Sequence, residues 1–542
     1  MRHPVLPRGK ELGLPIASGI LLTLAFPPFH LLAPSFVALV PWLVFVGRAP
    51  ETDEGSASVR RATFWMGIVY FGTLLYWLFT SLVFYTWLSL LGYLITVLIL
   101  AGILAVVGWG VHRARVTHGV PFWVSVPVLW TAAEWVQGHL GDIAFPWLGL
   151  GNSLTGYPAL VGFAELTGTR GVTFWLALVG GLLAEWWLDG LARRPLRRAA
   201  VLAAALAIPI GFSVARWYTL DVRPAARALV VQPNIPEDLK LDREEALDSS
   251  FTALDRLTRT ELDAAPIVSL VVWPETALPT YPSAAPGWAD WANGLARDYG
   301  VGLLYGLVEV EWYPDRTFDY YNAALFVDSR GSPVGTYRKH YLVPVVERVP
   351  FLPMSWMRDL RSRATREEWR LPAIGSVSAF LRYFGGFGRG VEEPVFTVDG
   401  AGFGVLICYE SIFAPLSRTY RRNGADFLVN ITNDAWYGRE KPWWSRSSAL
   451  YQHPSHLVMR AIENRMGVAR SANTGISLFV DPHGRVSRTT PLFEAAARVA
   501  TVQTTDTLTL YTRLGDWPGW LSAIAGFVGL GWLWVEKRRR RN

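Results

Sequence analysis

The chain contains a single cysteine, Cys408. It closes the run Phe403-Gly404-Val405-Leu406-Ile407-Cys408-Tyr409-Glu410, whose length and β-branched content fit a buried strand. A lone cysteine forms no intrachain disulfide, so it is either a small buried hydrophobe or a nucleophile presented at a strand end. Two other segments carry reactive polar residues: Val271-Val272-Trp273-Pro274-Glu275, with Glu275 just past an apolar strand, and Tyr337-Arg338-Lys339-His340-Tyr341-Leu342-Val343-Pro344, with Lys339 ahead of a Pro-bounded stretch. Each alone is equally what a solvated strand end looks like. Together they suit acyl chemistry. A free thiol has a pKa of about 8.5, so at neutral pH it needs a base, and a carboxylate such as Glu275 can take its proton during attack on an acyl group. The Lys339 ammonium can stabilise the thiolate and the tetrahedral oxyanion, with the backbone N–H of Tyr409 as a second donor. Glu347 and Glu410 can position the lysine or an attacking amine, or be ordinary surface acids. The nine histidines are scattered, without a His-x-x-x-His pair on a helix, and there is no glycine-rich phosphate loop of the Walker or dinucleotide type. The expectation is an enzyme without metal or cofactor.

Strands are expected at Ala228–Val231, Ile267–Trp273, Gly302–Val308, Ala323–Val327, Phe403–Ile407, Phe427–Ile431, Val468–Ala472 and Ser477–Val480. Helices are expected at Arg243–Ala264, Trp288–Tyr299 and Ser447–Asn464, the last with a break at Pro454. Short apolar strands alternating with helices indicate an α/β or layered α+β domain. Pro350 to Glu393 mixes aromatics, arginines and glycines and reads as a long loop region with some helix, a candidate lid or membrane-contact arm.

The rest of the chain is of another kind. Of its 542 residues 51% are hydrophobic, and about eight apolar segments approach the ~20-residue length of a membrane span: Leu12–Phe29, Pro34–Val46, Phe64–Phe84, Leu88–Trp109, Pro121–Val136, Gly171–Leu188, Ala199–Ala215 and Trp517–Val535. Every second connection is basic: Arg2, Arg8 and Lys10; Arg48, Arg60 and Arg61; Arg113 and Arg115; Arg193, Arg194, Arg197 and Arg198; and Lys537 to Arg541. The intervening turns, Pro27 to Ala33 and Tyr85 to Trp87, carry no Lys or Arg. That alternation is the positive-inside pattern of eight spans with both termini cytoplasmic. It accounts for much of the net charge of +7 without a nucleic-acid partner. The expected organisation is a seven-span bundle over 1–217, an extracytoplasmic catalytic domain over 218–510, and an eighth span with a basic tail over 511–542. The first segment lacks a clear cleavage site and reads as a retained anchor. Glu134 and Glu165, near membrane depth, are candidate polar contacts inside the bundle. Trp443-Trp444 and Phe384 to Phe387 either dip into the interface or form core.

Glu, Lys and Cys in this order, within Trp-Pro-Glu, Lys-His-Tyr-Leu-Val-Pro and Cys-Tyr-Glu, resemble the carbon–nitrogen hydrolase (nitrilase) superfamily. With seven spans before the domain and one after, the chain resembles its membrane-bound branch, the apolipoprotein N-acyltransferase family. Val231 to Pro236, Phe145 to Gly151, Asn430 to Gly438, and Gln452-His453 through Arg460, Glu463, Arg465 and Arg470 to Ser477 extend the match. The resemblance implies a four-layer α-β-β-α sandwich on a helical membrane bundle in a bacterial inner membrane. It implies Glu275 as general base, Lys339 as oxyanion stabiliser and Cys408 as nucleophile, supported by Glu347, Tyr409 and Glu410, with Trp273 and Trp436 in an acyl pocket. It also implies a phospholipid acyl donor, a diacylglyceryl apolipoprotein acceptor and a monomeric enzyme. The chain departs from the family pattern at Val345-Val346, where Phe-Gly is frequent, at Arg348, where tyrosine is frequent, and at Leu241, where tryptophan is common. The stretch between Glu347 and Cys408 is also longer than usual. Two rivals share the residues: a membrane-tethered amidase that uses water as acceptor, and a transporter or scaffold with an inactive outer domain.

Overall fold

The computed structural model describes residues 11–84, 86–236, 243–264, 267–278, 286–315, 317–368, 370–371, 375–376 and 386–539. Arg2, Arg8, Lys10, Tyr85, Leu241, Phe384, Arg540 and Arg541 lie outside the described residues. The N-terminal part is a helical bundle of α1 (Gly13–Ala25), α2 (Leu32–Val37), α3 (Val40–Arg48), α4 (Asp53–Leu74), α5 (Trp77–Leu82), α6 (Leu88–His118), α7 (Phe122–Gln137), α8 (Ala164–Leu188) and α9 (Pro195–Thr219). Four helices among the described residues are long and apolar enough to cross a membrane: α6, α8, α9 and the C-terminal Trp517–Arg539.

The expected apolar segments are helical but cut differently. Pro34–Val46 becomes two short helices, α2 and α3. Phe64–Phe84 is divided between α4 and α5, and α4 begins well before it at Asp53. There the Thr52 hydroxyl accepts from Gly55 N–H at 3.1 Å, an N-cap that sets the start. Arg60 and Arg61 therefore sit on a helix rather than in a loop, and Arg61 pairs with Glu11 at 3.0 Å. α8 starts at Ala164 and is interrupted at Gly168, whose φ is +67°. The ring of Tyr511 lies 2.6 Å from where a Cβ would be, so only glycine fits.

The second part follows in the order β1 (Arg223–Gln232), α10 (Arg243–Ala264), β2 (Leu270–Val272), α11 (Pro286–Tyr299), β3 (Gly302–Trp312), β4 (Phe318–Val327), β5 (Pro333–Arg338), α12 (Met354–Arg366), β6 (Arg370–Leu371), β7 (Gly375–Ser376), β8 (Phe396–Val398), β9 (Ala401–Ile407), α13 (Ala414–Arg422), β10 (Phe427–Thr432), α14 (Ala449–Asn464), β11 (Gly467–Ala472), β12 (Leu478–Val480), β13 (Val486–Ser487) and β14 (Ala496–Thr504). α15 (Leu510–Leu514) and α16 (Trp517–Arg539) return the chain to the bundle. There Gly526 lets α16 approach the Ala132 methyl of α7.

The strands form two six-stranded sheets, β14-β1-β2-β3-β4-β5 and β13-β12-β11-β10-β9-β8. β1, β2 and β3 run parallel, as do β9, β10 and β11. Alternate residues of the first sheet separate into two cores, as the two-residue strand period requires. Leu229, Val231, Val271, Leu303 and Tyr305 pack with Leu254, Leu262 and Leu295 of α10 and α11. Ala228, Val230, Val272 and Leu304 face the other way, into the core shared with Phe403, Val405 and Phe427 of the second sheet. α13 and α14 cover the outer side of the second sheet, and α14 also packs on α8 of the bundle. The layers are thus helix, sheet, sheet, helix, then bundle. Pro454 does not break α14, which runs through it; it stands in the helix's second turn, where its missing N–H removes one bond.

Candidate active site

Each of the three arms of the site leaves a sheet at a strand end and is held there by backbone geometry. Glu275 follows β2 in a loop folded over β3. Gly306 makes this possible: a Cβ there would lie 2.6 Å from the Glu275 Cα and 2.6 Å from Thr276 N. Ala277 N–H donates to the Gly306 carbonyl at 3.0 Å. Lys339 directly follows β5, its N–H donating to the Asn322 carbonyl at 2.9 Å. Cys408 follows β9 and opens a 3-10 turn, Cys408–Ile412. Its φ of +50° is one an L-residue seldom adopts, a sharp elbow held by its surroundings.

Side chains close the site. Lys339 is 1% exposed; its Nζ lies 2.8 Å from Glu347 Oε1 and 3.5 Å from Glu275 Oε1. Asn322 Nδ2 donates to both carboxylates, at 2.7 Å to Glu275 Oε1 and 2.8 Å to Glu347 Oε1. Asn433 N–H holds Glu275 Oε2 at 2.7 Å, and Val343 N–H holds Glu347 Oε2 at 2.7 Å. Burial opposes the Lys339 charge, but Glu347 and Glu275 outweigh it and keep the ammonium above the ordinary lysine value. Burial pushes the Cys408 thiol up, the Glu275 charge pushes it further, and Lys339 only partly compensates. The resting sulfur is therefore a thiol that needs a base. A carboxylate and an ammonium act on it together, which is the arrangement for proton removal with oxyanion stabilisation.

Glu410 is wholly buried and ties the elbow to the lysine arm. It accepts from Ile407 N–H at 2.7 Å, His340 N–H at 2.6 Å, Tyr341 N–H at 3.1 Å and the Tyr337 hydroxyl at 2.7 Å. Burial raises its carboxyl to about 7 against these hydrogen bonds. Tyr409 turns the other way: its hydroxyl donates to the Ala144 carbonyl of the bundle at 2.8 Å. Trp436 is half-buried in the 3-10 turn Asp434–Tyr437, and the Tyr437 hydroxyl is 3.8 Å from Cys408 Sγ. Trp273 is a correction. It is fully buried on the helix-facing side of the first sheet, stacked on Trp291 and donating to Thr258 Oγ1 at 3.0 Å. Side chains alternate along the chain, so Trp273 points into the outer core and lines no acyl pocket.

Two groups have no role in the sequence reading. Asn322 bridges both glutamates, and its only signal is a polar residue at a buried position of the apolar strand β4. His453, on α14, lies beneath the elbow with Nε2 3.0 Å from the Cys408 carbonyl and Nδ1 2.9 Å from Asp434 Oδ1. Burial and then Arg470 push the His453 ring toward neutrality. Burial would raise Asp434, but Arg470 and His453 hold its carboxyl well below the usual range. Trp147 of the bundle stacks on His453 with centroids 5.6 Å apart and donates to Gln452 Oε1 at 2.7 Å. Glu134 holds the loop that carries Trp147, accepting from Leu150 N–H at 2.7 Å and Thr173 Oγ1 at 2.8 Å. Glu165 accepts from Arg216 and Arg465, each at 2.7 Å, and Glu463 accepts from Thr169 N–H at 2.8 Å. The conspicuous Arg460–Arg470 stretch thus docks the domain on the bundle as well as bracing the elbow.

Residues 227–509 match the family described as Carbon-nitrogen hydrolase, and residues 18–182 match the Apolipoprotein N-acyltransferase N-terminal domain. An apolipoprotein N-acyltransferase of Geobacter metallireducens is 31% identical over 96% of this chain and 94% of its own length. One of Methylococcus capsulatus is 32% identical over 98% and 97%. Among solved structures, an amidase from Nesterenkonia sp. aligns with 18% identity and a TM-score of 0.35, over 55% of this chain and 95% of that one. The chain belongs to the apolipoprotein N-acyltransferase family, within the carbon–nitrogen hydrolases.

Proposed function

We propose that this protein transfers an acyl chain from a phospholipid to the α-amine of the diacylglyceryl-modified N-terminal cysteine of apolipoproteins, through a thioester on Cys408. The observation that carries the reading is the buried Glu275–Lys339–Cys408 site set directly against the bundle, in a chain whose relatives are named for this activity over nearly their whole length.

Glu275 takes the thiol proton as sulfur attacks the ester carbonyl. Lys339 and the Tyr409 N–H face the oxyanion. Collapse breaks the ester C–O bond, and Glu275 returns the proton to the departing lysophospholipid oxygen. The lipoprotein amine then attacks the thioester, Glu275 takes an N–H proton, and the C–S bond breaks to give the amide and the thiol, re-protonated from Glu275. Glu347 and Asn322 keep Lys339 and Glu275 in register, and Glu410 and Tyr409 fix the elbow between lysine arm and bundle.

The proposed organisation is eight spans with both termini cytoplasmic, a bundle over 1–217, an extracytoplasmic domain over 218–510 and an eighth span with its tail over 511–542, in a bacterial inner membrane and acting as a monomer. Support comes from the basic alternation and from an outer surface of α6 that is apolar: Leu94, Ile95, Leu98 and Ile99 are each close to half exposed. A membrane site also suits the cargo. Each buried CH₂ is worth ~0.8 kcal/mol, so drawing a sixteen-carbon chain into water costs on the order of 10 kcal/mol, which a site at the bilayer boundary avoids. In this reading the described part of the Pro350–Glu393 region, with α12 and the exposed Phe351 and Trp356, is a lid or membrane-contact arm, residues 369, 372–374 and 377–385 lying outside the described residues, and Trp443 and Trp444 reach the interface. The deciding experiment is the intact mass of the protein after incubation with a defined phospholipid. The expected result is one acyl adduct on Cys408 that persists until a lipopeptide amine is added and is absent in Cys408→Ala. An adduct that hydrolyses rapidly without amine would establish the amidase instead, and an adduct persisting in Cys408→Ala would overturn the assignment.

A further inference from the structure

The end of the bundle remote from Cys408 holds a feature the acyl-transfer reading does not use. Toward the catalytic end, α9 is fastened to its neighbours by Arg216 to Glu165 at 2.7 Å and Ser213 Oγ to Phe163 N–H at 3.1 Å, and at mid-helix Trp175 Nε1 donates to the Ala205 carbonyl at 2.8 Å. Along its length α9 is thinly packed, Ser213 being its one buried residue. At its N-terminal end a cavity of about 350 Å³ lies between α7, α8 and α9. That is within the usual range of small-molecule pockets, roughly 300–1,000 Å³. From the break at Gly168 to Glu185, α8 is about 25 Å long at 1.5 Å per residue, close to the hydrocarbon thickness.

The walls of the cavity are amphipathic. Trp123, Leu182 and Leu202 supply apolar surface, and Arg194, Arg197 and Arg198 supply charge. The two carboxylates there are already engaged: Asp189 pairs with Arg198, and Glu185 pairs with Arg115 and accepts from Phe122 N–H at 2.8 Å. Arg194 and Arg197 form no ion pair among the described residues, and Arg198 Nη1 is buried without a hydrogen-bond partner. The α9 N-terminus, at Pro195, adds its own free N–H groups on the same side. A basic rim over an apolar slot matches a phosphodiester with attached acyl chains; a free phosphate would leave the slot empty.

We propose that this cavity is a binding site for one anionic glycerophospholipid, its phosphate on Arg194, Arg197 and Arg198 and an acyl chain along Trp123, Leu182 and Leu202, distinct from the acyl-donor site at Cys408. The lipid fills the gap between the C-terminal end of α8 and the N-terminal end of α9, beside the Asp189–Arg198 pair, and holds α9 against the bundle. The inference rests on the chain being embedded in a membrane and is independent of the chemistry at Cys408.

The test uses delipidated full-length protein in detergent, titrated with phosphatidylglycerol or with phosphatidylcholine of the same chains, and retained lipid is read by native mass spectrometry. One phosphatidylglycerol is expected to stay bound with affinity on the order of tenfold above phosphatidylcholine, a preference lost in the R194Q/R197Q variant. Leu202→Trp, which fills the slot, is expected to lose the lipid while keeping the arginines. Equal retention of both lipids, or undiminished preference in R194Q/R197Q, would overturn the proposal. Displacement of the lipid by inorganic phosphate at similar concentration would overturn its lipid nature. Acyl-enzyme formation at Cys408 is followed in the same samples: its absence in the unsubstituted protein counts against the acyl-transfer reading alone, whereas lost lipid selectivity with intact acylation counts against this site alone.

Discussion

Asn322 is the most informative residue to perturb, because one side-chain nitrogen serves both glutamates that flank Lys339. Its Nδ2 donates to Glu275 Oε1 and Glu347 Oε1 at 2.7 and 2.8 Å, while its own Oδ1 is buried without a partner. Hydrogen bonds to charged groups contribute about 1.5–3 kcal/mol each, and an orphaned buried acceptor costs about 1–3 kcal/mol. Asn322→Ala removes the two bonds but also the orphan, so the net loss of stability is expected to be about 1–3 kcal/mol. The kinetic loss is larger relative to that change. Glu275 keeps Asn433 N–H at 2.7 Å but only the longer 3.5 Å contact with Lys339, and a displacement of about 1 Å in a reacting group costs on the order of 10²-fold. Acyl-enzyme formation, read as intact mass in a single turnover, is expected to slow by roughly 10- to 100-fold. Asn322→Asp separates donor from shape: it preserves volume but sets a third carboxylate beside two that share one lysine. It should therefore be worse than Ala in both stability and rate. An Asp variant as active as the unsubstituted protein, or an Ala variant with unchanged rate, would refute the bridging role.

Three further outcomes follow from the same geometry. His453→Leu removes the donor facing the Cys408 carbonyl at 3.0 Å and is expected to slow acylation about 10- to 100-fold; His453→Gln, which keeps an N–H, should recover part of that rate, and equal rates in the two variants would show the hydrogen bond to be idle. Lys339→Met removes the charge that lowers the Cys408 thiol and leaves two buried carboxylates uncompensated; iodoacetamide should label Cys408 more slowly than in the unsubstituted protein at every pH from about 7 to 9, with stability reduced by about 3–5 kcal/mol in thermal denaturation. Gly306→Ala drives a methyl into the backbone of Glu275 and Thr276 at 2.6 Å; acylation should fall on the order of 10²-fold, and unchanged kinetics would mean that the Glu275 loop is not aimed by this contact.

How much of this was legible in the sequence depended on how continuous each signal was. The strand ending in Cys408 is an unbroken apolar run because β9 is buried on both faces, between β8 and β10 within its sheet and between layers above and below. The helix Arg243–Ala264 was legible for the same reason, its apolar stripe facing β1 and β14. β5 and β13 were not legible: the first is a half-exposed edge strand and the second is two exposed residues. β14 alternates small and polar residues, yet it pairs with β1 from Gln232 to Arg223, so its strand character comes from its partner. In the site, Glu275 and Cys408 were visible because each stands at the end of an apolar segment, and Lys339 because it opens the Pro-bounded run Lys339 to Pro344. Asn322 and His453 stand inside regular elements, where spacing says nothing about what a polar group meets across the fold. Trp273 shows the converse error: it stands two residues from Glu275, yet it keeps the helix-facing side it shares with Val271, while Glu275 lies beyond the strand in the loop that turns over β3.

The position of the elbow also explains why bundle and domain make one chain. The Cys408 carbonyl faces His453, the His453 ring lies against Trp147, and the loop bearing Trp147 hangs on Glu134 through Leu150 N–H. On the other side, Tyr409 donates to the Ala144 carbonyl of that same bundle loop. The backbone at Cys408 is thus braced from both sides by contacts that reach Trp147 and Ala144, more than 250 positions earlier in the chain. A residue held at φ +50° relaxes unless its surroundings constrain it, and two of those constraints, Ala144 on Tyr409 and Trp147 on His453, come from the bundle. Separating the two parts would therefore remove the elbow's support as well as the membrane anchor. The outer core between the first sheet and α10 and α11 lies away from the bundle, but the core between the two sheets is continuous with it, so removing the bundle would expose that core as well as release the backbone at Cys408.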